Sequence, residues 1–85
     1  MKETRIIGIA ISNRIEASLK VQNILTKYGC SIKTRLGLHE VTNENCSISG
    51  LILLELTGDV NECIKLENEL LSIDGIEVKK MIFTI

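Results

Sequence analysis

The 85-residue sequence has no proline and no tryptophan, and its aromatic residues are one phenylalanine and one tyrosine. Its hydrophobic content of 45% therefore comes mainly from isoleucine, leucine and valine. A chain of this length is expected to form one domain, residues 1–85, whose single core provides only modest stability.

A concentrated charge of one sign is also lacking. Ten basic residues against eleven acidic ones give a net charge of −1. Phosphate binding needs a basic face, so nucleic acid is not expected as a direct partner. No apolar run approaches the roughly 18 residues that span a bilayer. The first residues also lack the features of a signal peptide. We expect a cytoplasmic protein with no membrane partner.

The three cysteines form no CxxC pair, and their odd number favours reduced thiols over disulfides. Cys30, Cys46 and Cys63 all fall on positions predicted to face the core, where cysteine is a small apolar filler. There is no glycine-rich phosphate loop, no pair of acids predicted to converge, and no histidine predicted near a thiol. An enzyme and a bound cofactor are therefore not expected.

His39 and Cys46 flank one connection and raise the possibility of a metal site. If Leu38 and Ile48 both face the core, His39 should lie beside Ser47 and Cys46 should point to the other face. With one histidine in the chain, a complete metal site would need ligands from several subunits. No metal site is predicted, although a metal-responsive sensor stays as an alternative.

A repeat organises the sequence. With a shift of 45 residues, segment 15–23 (IEASLKVQN) aligns with segment 60–68 (VNECIKLEN). Each copy is preceded and followed by a predicted strand, so the chain is predicted to be βαβ-βαβ. Two such halves interleaved in one antiparallel sheet give an α+β ferredoxin-like sandwich with strand order 4-1-3-2 and two helices on one face.

Hydrophobic spacing places the elements. Strands are predicted at 4–11, 30–40, 46–57 and 76–85. One helix follows a cap at Asn13 and ends at Gly29 in a left-handed conformation; the other begins after Asp59 and ends at Gly75. The predicted core comprises Ile7, Ile9, Ile11, Ala17, Val21, Ile24, Leu25, Tyr28, Ile32, Leu36, Leu38, Ile48, Ile52, Leu54, Leu56, Cys63, Leu66, Leu70 and Ile73.

The face of the sheet without helices is predicted to be apolar on three of its four strands. Because antiparallel sheets facing water normally alternate, these residues predict a homo-oligomer, a dimer or a tetramer. Only the second strand, with Lys33, Arg35 and His39, is expected to make this face polar. The alternative to an apolar interface is a bulge at Lys79 and Lys80, since it would turn Met81 and Phe83 towards the core. The predicted interface is Ile6, Gly8, Ala10, Leu51, Leu53, Met81, Phe83 and Ile85.

The turn at Ser12, Asn13 and Arg14 presents helix N–H groups and a cation, and could receive an anion or a carboxylate. Capping alone would also explain Asn13. Gly37 could mark a bulge or a close approach by another chain, and Arg35 could pair with an acid across an interface.

The sequence resembles the family of iron-only hydrogenase system regulators. The likeness rests on Asn13 with Arg14, VQNIL at 21–25 with Tyr28 and Gly29, RLGL at 35–38, Ser47 with Ile48, and GIEVK at 75–79. Those proteins are free-standing domains similar to ACT domains and to the C-terminal domain of the nickel-responsive repressor. The resemblance implies an ACT-like βαββαβ domain that forms dimers or tetramers and serves regulation rather than catalysis.

The sequence also departs from that family. His39 stands where a proline is expected, and KLENE at 65–69 replaces a glycine-containing segment. The turn after the first strand has no glycine of the kind that amino-acid-binding ACT domains use. The nickel-binding set of three histidines and one cysteine is not here, nor is a DNA-binding element, so any role in transcription would need another chain.

These observations predict a non-catalytic regulatory module that binds a small effector or a protein partner at a subunit interface. An adaptor without a small ligand is the main alternative. The predicted ligand contacts are Ser12, Asn13, Arg14, Arg35, Gly37, Leu38 and His39.

Overall fold

A computed structural model of the chain describes residues 3–12, 15–41 and 46–85, and gives only the backbone for 38–41 and 46–49. The strand–helix–strand unit occurs twice, as the repeat predicts. The elements are β1 (Glu3–Ile11), α1 (Ile15–Lys27), a 3₁₀ turn (Gly29–Ser31), β2 (Ile32–Val41), β3 (Cys46–Leu56), α2 (Val60–Leu71) and β4 (Ile76–Thr84).

The four strands form one sheet in the order β2-β3-β1-β4, and each neighbouring pair is antiparallel. This is the predicted order 4-1-3-2, so the ferredoxin-like topology is confirmed. β1 and β3 lie in the centre, and β2 and β4 form the edges.

The core lies between the sheet and the two helices. Strand residues alternate across the sheet and helix residues recur every three or four positions, so each element contributes one apolar side. The predicted core is confirmed at Ile7, Ile9, Ile11, Ala17, Val21, Leu25, Ile52, Leu54, Leu56, Cys63, Leu66, Leu70 and Ile73, all of which are buried. Ile24, Tyr28 and Ile32 pack against this core and are partly buried.

The ends of α2 follow the predicted chemistry. The Asp59 side chain accepts a hydrogen bond of 2.9 Å from the backbone N–H of Asn61, which satisfies one free donor of the first turn. After the helix, Gly75 has φ +86°, a conformation that glycine adopts without strain.

The predicted left-handed end of α1 at Gly29 is wrong. Positive φ occurs only at Gly58 and Gly75 among the described residues. The chain instead leaves α1 through the 3₁₀ turn, where the Ser31 N–H donates to the Tyr28 carbonyl at 2.9 Å. The Ser31 carbonyl in turn accepts from the Thr57 N–H at 2.8 Å, so this turn is held against the end of β3. The predicted cap Asn13 lies outside the described residues.

β2 contains an extra residue near its start, and this corrects the predicted core. Ile32 pairs with Leu56 while Thr34 pairs with Glu55, so Lys33 has no opposite residue on β3. A one-residue bulge inverts the alternation of all that follows. Leu36, predicted to be in the core, is therefore half-exposed on the face without helices.

The cysteine predictions are confirmed in one case and wrong in another. Cys63 is buried in the core as predicted, whereas Cys30 is exposed because it lies in the 3₁₀ turn and not in β2. The side chain of Cys46 lies outside the description.

A charged cluster fastens α2 to the sheet. The carboxylate of Glu67 is largely buried and lies 3.0 Å from Lys80 Nζ on β4 and 3.8 Å from Arg5 Nη1 on β1. Arg5 also contacts Glu3 at 2.7 Å. The helix is thus attached to both strands of the β1–β4 pair by charge as well as by packing.

A second charged cluster joins the two helices. Glu69 of α2 accepts a short hydrogen bond from the Tyr28 hydroxyl, and Lys27 Nζ lies 3.1 Å from the same carboxylate. The hydrogen bond from Tyr28, followed by that from Lys27, lowers the pKa of Glu69. In return, the bond with Glu69 raises the pKa of Tyr28 and of Lys27.

The lowered pKa gives a prediction about acid. A carboxyl group with a lowered folded-state pKa stabilises the fold above its unfolded pKa of about 4.3, and the effect disappears as pH falls through the folded value. We therefore expect Glu69→Gln to lower the melting temperature at pH 7 and the difference from wild type to shrink below about pH 4. A difference that stays constant from about pH 7 to about pH 2.5 would contradict this assignment.

Candidate interaction surface

The side of the sheet opposite the helices, called the open face below, carries a continuous set of apolar residues. They alternate along the strands with the buried core residues and therefore point away from the helices. We call this set the open-face band: Ile6, Gly8 and Ala10 on β1, Leu36 on β2, Leu51 and Leu53 on β3, and Met81 and Phe83 on β4.

The β4 part of the band is where the sequence predicts it. The pairing of β1 with β4 is regular from Glu3 with Thr84 to Ile11 with Ile76, so the alternative of a bulge at Lys79 and Lys80 is wrong. Met81 lies opposite Ile6, and 55% and 48% of the surfaces of Met81 and Phe83 are exposed. Ile85 follows the end of β4 and is 80% exposed.

The β2 part differs from the prediction. Leu36 lies opposite Leu53 on the open face and is 50% exposed. Arg35 was expected on the open face, but it turns towards the helices, where its guanidinium donates a hydrogen bond to the side chain of Gln22 in α1. The bulge at Lys33 causes both changes, and it makes the open face more apolar than the sequence suggests.

The glycine in the middle of the band is not required by the fold of one chain. A Cβ built on Gly8 would lie 3.6 Å from Cδ2 of Leu53, an ordinary contact distance. Alanine would therefore fit. Gly8 and Ala10 leave a shallow strip along β1, and such small residues let another surface approach closely.

Two polar areas border the band at opposite corners of the open face. The β2–β3 corner consists of Lys33, Thr34 and Glu55, in which the Thr34 hydroxyl donates to Glu55 at 3.1 Å and Lys33 Nζ lies 3.8 Å from the same carboxylate. The β4 corner consists of Glu77 and Lys79, whose register positions face Ala10 and Gly8 of β1.

The predicted ligand contacts are only partly described. Ser12 Oγ donates a 2.9 Å hydrogen bond to the Gly75 carbonyl, so this side chain holds the end of β1 against the turn before β4. Asn13 and Arg14 lie outside the described residues. Within the described part, Arg35 contacts α1 and a Cβ on Gly37 would meet no atom within 4 Å. Of the two alternatives for Gly37, a bulge is not observed there, because Gly37 pairs regularly with Ile52 and the bulge lies at Lys33.

The register around His39 also differs from expectation. Its backbone pairs with Gly50 and not with Ser47, and a second irregularity follows between His39 and Val41. Leu38 pairs with Leu51, and the side chains of Leu38 and His39 lie outside the description. No group of three potential metal ligands occurs among the residues whose side chains are described.

A groove of about 680 Å³ lies at the end of the sheet where β1 and β2 begin and β3 ends. Its lining combines both charge signs with apolar and small residues: Glu3, Thr4, Lys33, Glu55, Leu56, Thr57, Gly58, Val60 and Ile85. It lies at the other end of β1 from Ser12. No sequence motif marks it, because its residues come from four separate segments.

The buried thiol of Cys63 is poorly suited to nucleophilic chemistry. Its Sγ donates to the Thr57 carbonyl at 3.5 Å, and desolvation raises the pKa of the thiol. A raised pKa reduces the thiolate fraction at neutral pH. In the described ranges, neither helix is long and apolar enough to cross a membrane.

Comparison with known families gives a match over most of the chain. Residues 3–80 match the TM1266-like family, described as "Iron-only hydrogenase system regulator, putative". No curated protein matches the sequence.

Three solved structures show the same fold. Uncharacterized protein TM1266 from Thermotoga maritima is 24% identical, with a TM-score of 0.80 over 98% of this chain and 100% of that one. The ACT domain of GTP pyrophosphokinase from Chlorobium tepidum is 14% identical, with a TM-score of 0.64 over 92% and 96%. A dimeric ferredoxin-like protein from Thermobifida fusca is 12% identical, with a TM-score of 0.51 over 98% and 91%. The resemblance to the regulator family and to ACT domains is thus confirmed.

Proposed function

This chain belongs to the TM1266-like family of iron-only hydrogenase system regulators, and from this premise we propose that it is a non-catalytic regulatory module. It works as a homo-oligomer, a dimer or a tetramer, assembled through the open-face band. Binding of a small effector or a protein partner changes its assembly or its affinity for that partner.

The open-face band is the observation that carries this proposal. Leu36, Met81 and Phe83 are each about half-exposed, and Leu51 is 39% exposed. Fully burying one such side chain contributes about 1.5–3 kcal/mol, and large contiguous apolar patches on soluble proteins usually mark interfaces. A second protein surface would remove this area from water.

The known structures are consistent with such a role. The ACT domain of a GTP pyrophosphokinase and a ferredoxin-like protein named as dimeric have the same fold. Likeness at 12–14% identity transfers the architecture, while assembly and effector binding by this chain are part of the proposal. The proposed effector contacts are still the turn at 12–14 together with Arg35, Gly37, Leu38 and His39. A cytoplasmic location and the lack of direct nucleic-acid binding are proposed with it.

The test is the mass of the protein in solution. We expect light scattering at micromolar concentration to give at least twice the 9.4 kDa of one chain. The same protein is then examined with amino acids, nucleotides and divalent metal ions. A compound that binds the native state raises the melting temperature. At a ligand concentration of about 100 times the dissociation constant, binding stabilises the folded state by about 2.7 kcal/mol. A mass of one chain over the whole concentration range would overturn the proposal.

A second candidate function is that of an adaptor without a small ligand. Several large apolar residues of the helices are exposed, namely Ile15, Leu19, Ile64 and Leu71. Since the core does not use them, they could bind a partner protein while the open face holds the oligomer together. An adaptor would show no melting shift with any of the small molecules. Its partner binding would be lost in Leu19→Asp and Ile64→Asp variants of unchanged mass.

A further inference from the structure

The open-face band crosses the sheet diagonally. On β4, Phe83 and Met81 lie near the start of β1. On β2, Leu36 lies level with Gly8 of β1. Along the direction of β1, this position is four residues further than that of Phe83 and two residues further than that of Met81. From β4 to β2 the band spans three strand spacings, about 14 Å, while it advances by about 7–13 Å along the strands. It therefore separates the β2–β3 corner on one side from the β4 corner on the other.

We propose that the open face binds the same face of a second copy through a two-fold axis that runs along the band. This inference rests on the proposed function and adds the orientation of the two copies. Rotation by 180° about such an axis keeps band against band and exchanges its two sides. The β2–β3 corner of each copy then lies against the β4 corner of the other.

The charges of the two corners match in this arrangement. Glu55 of one copy faces Lys79 of the second, and Lys33 faces Glu77. With the spacings of a flat sheet, the backbone positions of each pair lie within roughly 5 Å of each other in projection. The symmetric contact contains two copies of this four-charge group. Complementary charges of this kind fix the register of an interface.

The other two-fold arrangement that keeps band against band is disfavoured. Its axis lies in the interface at a right angle to the band, so each corner would meet its own copy. Glu55 would then face Glu55 and Lys33 would face Lys33. Like charges placed together are costly, and this difference selects the first arrangement.

The charges concerned are available in a single chain. Lys33 contacts Glu55 only loosely, at 3.8 Å, and 61% of its side chain is exposed. Glu77 and Lys79 are exposed and form no salt bridge with any residue in the ranges 3–12, 15–37 and 50–85. Contact with a second copy would give Glu77 and Lys79 a partner, and would give Lys33 and Glu55 an additional one.

The same axis sets how the two sheets cross. By the spacings given above, the band is inclined to the strands by about 45–65°. Strands that the two-fold axis relates cross at twice this angle. The strand lines of the two sheets therefore cross at about 50–90°, which is more than the aligned angle of about 30°. The shallow strip at Gly8 and Ala10 admits the side chains of the crossing sheet.

The test exchanges charges between copies. In Glu55→Lys, the introduced lysine of each copy lies against Lys79 of the other, so the symmetric dimer contains two repulsive contacts. In Lys79→Glu, the introduced glutamate lies against Glu55 in the same two places. Each variant alone should raise the dimer dissociation constant about tenfold in analytical ultracentrifugation at low salt. An equimolar mixture should restore wild-type affinity, since both contacts in the mixed dimer pair opposite charges. Glu62→Lys on α2 is the matched control and should change nothing.

The outcomes separate this inference from the proposed function. If the wild-type protein is a monomer, the proposed function fails. If it is a dimer that the single variants do not weaken, or that the mixture does not restore, the proposed orientation is wrong although assembly stands. Weakening by each variant with rescue in the mixture supports the orientation, because residues of one chain could not produce that rescue.

Discussion

The double variant Leu36→Asp with Phe83→Asp should fold normally and have the mass of a single chain. Both side chains are about half-exposed in one chain, so a carboxylate at either position can stay in contact with water. In the proposed assembly both positions are covered, and burying an unpaired charge costs several kcal/mol. Two positions in each of two copies should weaken association by at least about a hundredfold. Light scattering gives the mass and circular dichroism checks the fold.

The matched control changes the helices. Leu19 and Leu71 have similar exposure, 59% and 57%, and lie on the helices rather than on the open face. Replacing both by aspartate introduces the same charges and should leave the mass unchanged. If the open-face variant keeps the mass of the wild type, or if the helix variant also dissociates, the open-face band is not the assembly surface.

Replacing Glu67 by alanine should lower the free energy of unfolding by about 2 kcal/mol. Glu67 is 9% exposed, and its carboxylate lies between Lys80 and Arg5. Without it, Arg5 stays largely buried with Glu3 as its remaining partner, while half-exposed Lys80 turns to water. In a domain of this size, the loss corresponds to roughly 8–16 °C in melting temperature.

The control for this prediction is Glu62→Ala on the same helix. Glu62 lies 3.7 Å from Lys65, and both side chains are well exposed, so loss of this pair should change stability by less than about 0.5 kcal/mol. Urea denaturation at one fixed protein concentration measures both variants, because association would otherwise shift the apparent stability. Equal effects of the two substitutions would show that the buried cluster does not fasten α2.

Much of the fold could be predicted because the pattern is local. The 45-residue repeat gives the order of elements, and the alternation along β1 and β3 identifies Ile7, Ile9, Leu54 and Leu56 as core residues. The buried stripe of α2 follows from the helical spacing of its apolar residues. The glycine at the end of α2 is predictable because glycine adopts a positive φ without strain. Apart from the repeat, each of these inferences needs only residues close together in the chain.

The prediction failed where an ordinary residue breaks the alternation. Bulges often contain glycine, yet the extra residue in β2 is Lys33, and nothing in its side chain marks the position. The assignments of Leu36 and Arg35, which follow it, were therefore on the wrong face. In the same way, the register of His39 depends on how two strands pair, which is decided by the whole sheet.

The proposed surface was therefore recognised only in part. Ile6, Leu53 and Met81 lie where their alternation places them, whereas Leu36 joins the band through the bulge. The groove at the start of β1 was missed altogether, because its lining comes from segments that meet only in the folded chain.

The bulge in β2 also has an evolutionary meaning. Without the codon for Lys33, Ile32 and Thr34 would be adjacent and would pair with Leu56 and Glu55 in regular alternation. Leu36 would then keep its place on the open face, so position 33 is a point at which the gene can lose one codon while this apolar surface is retained.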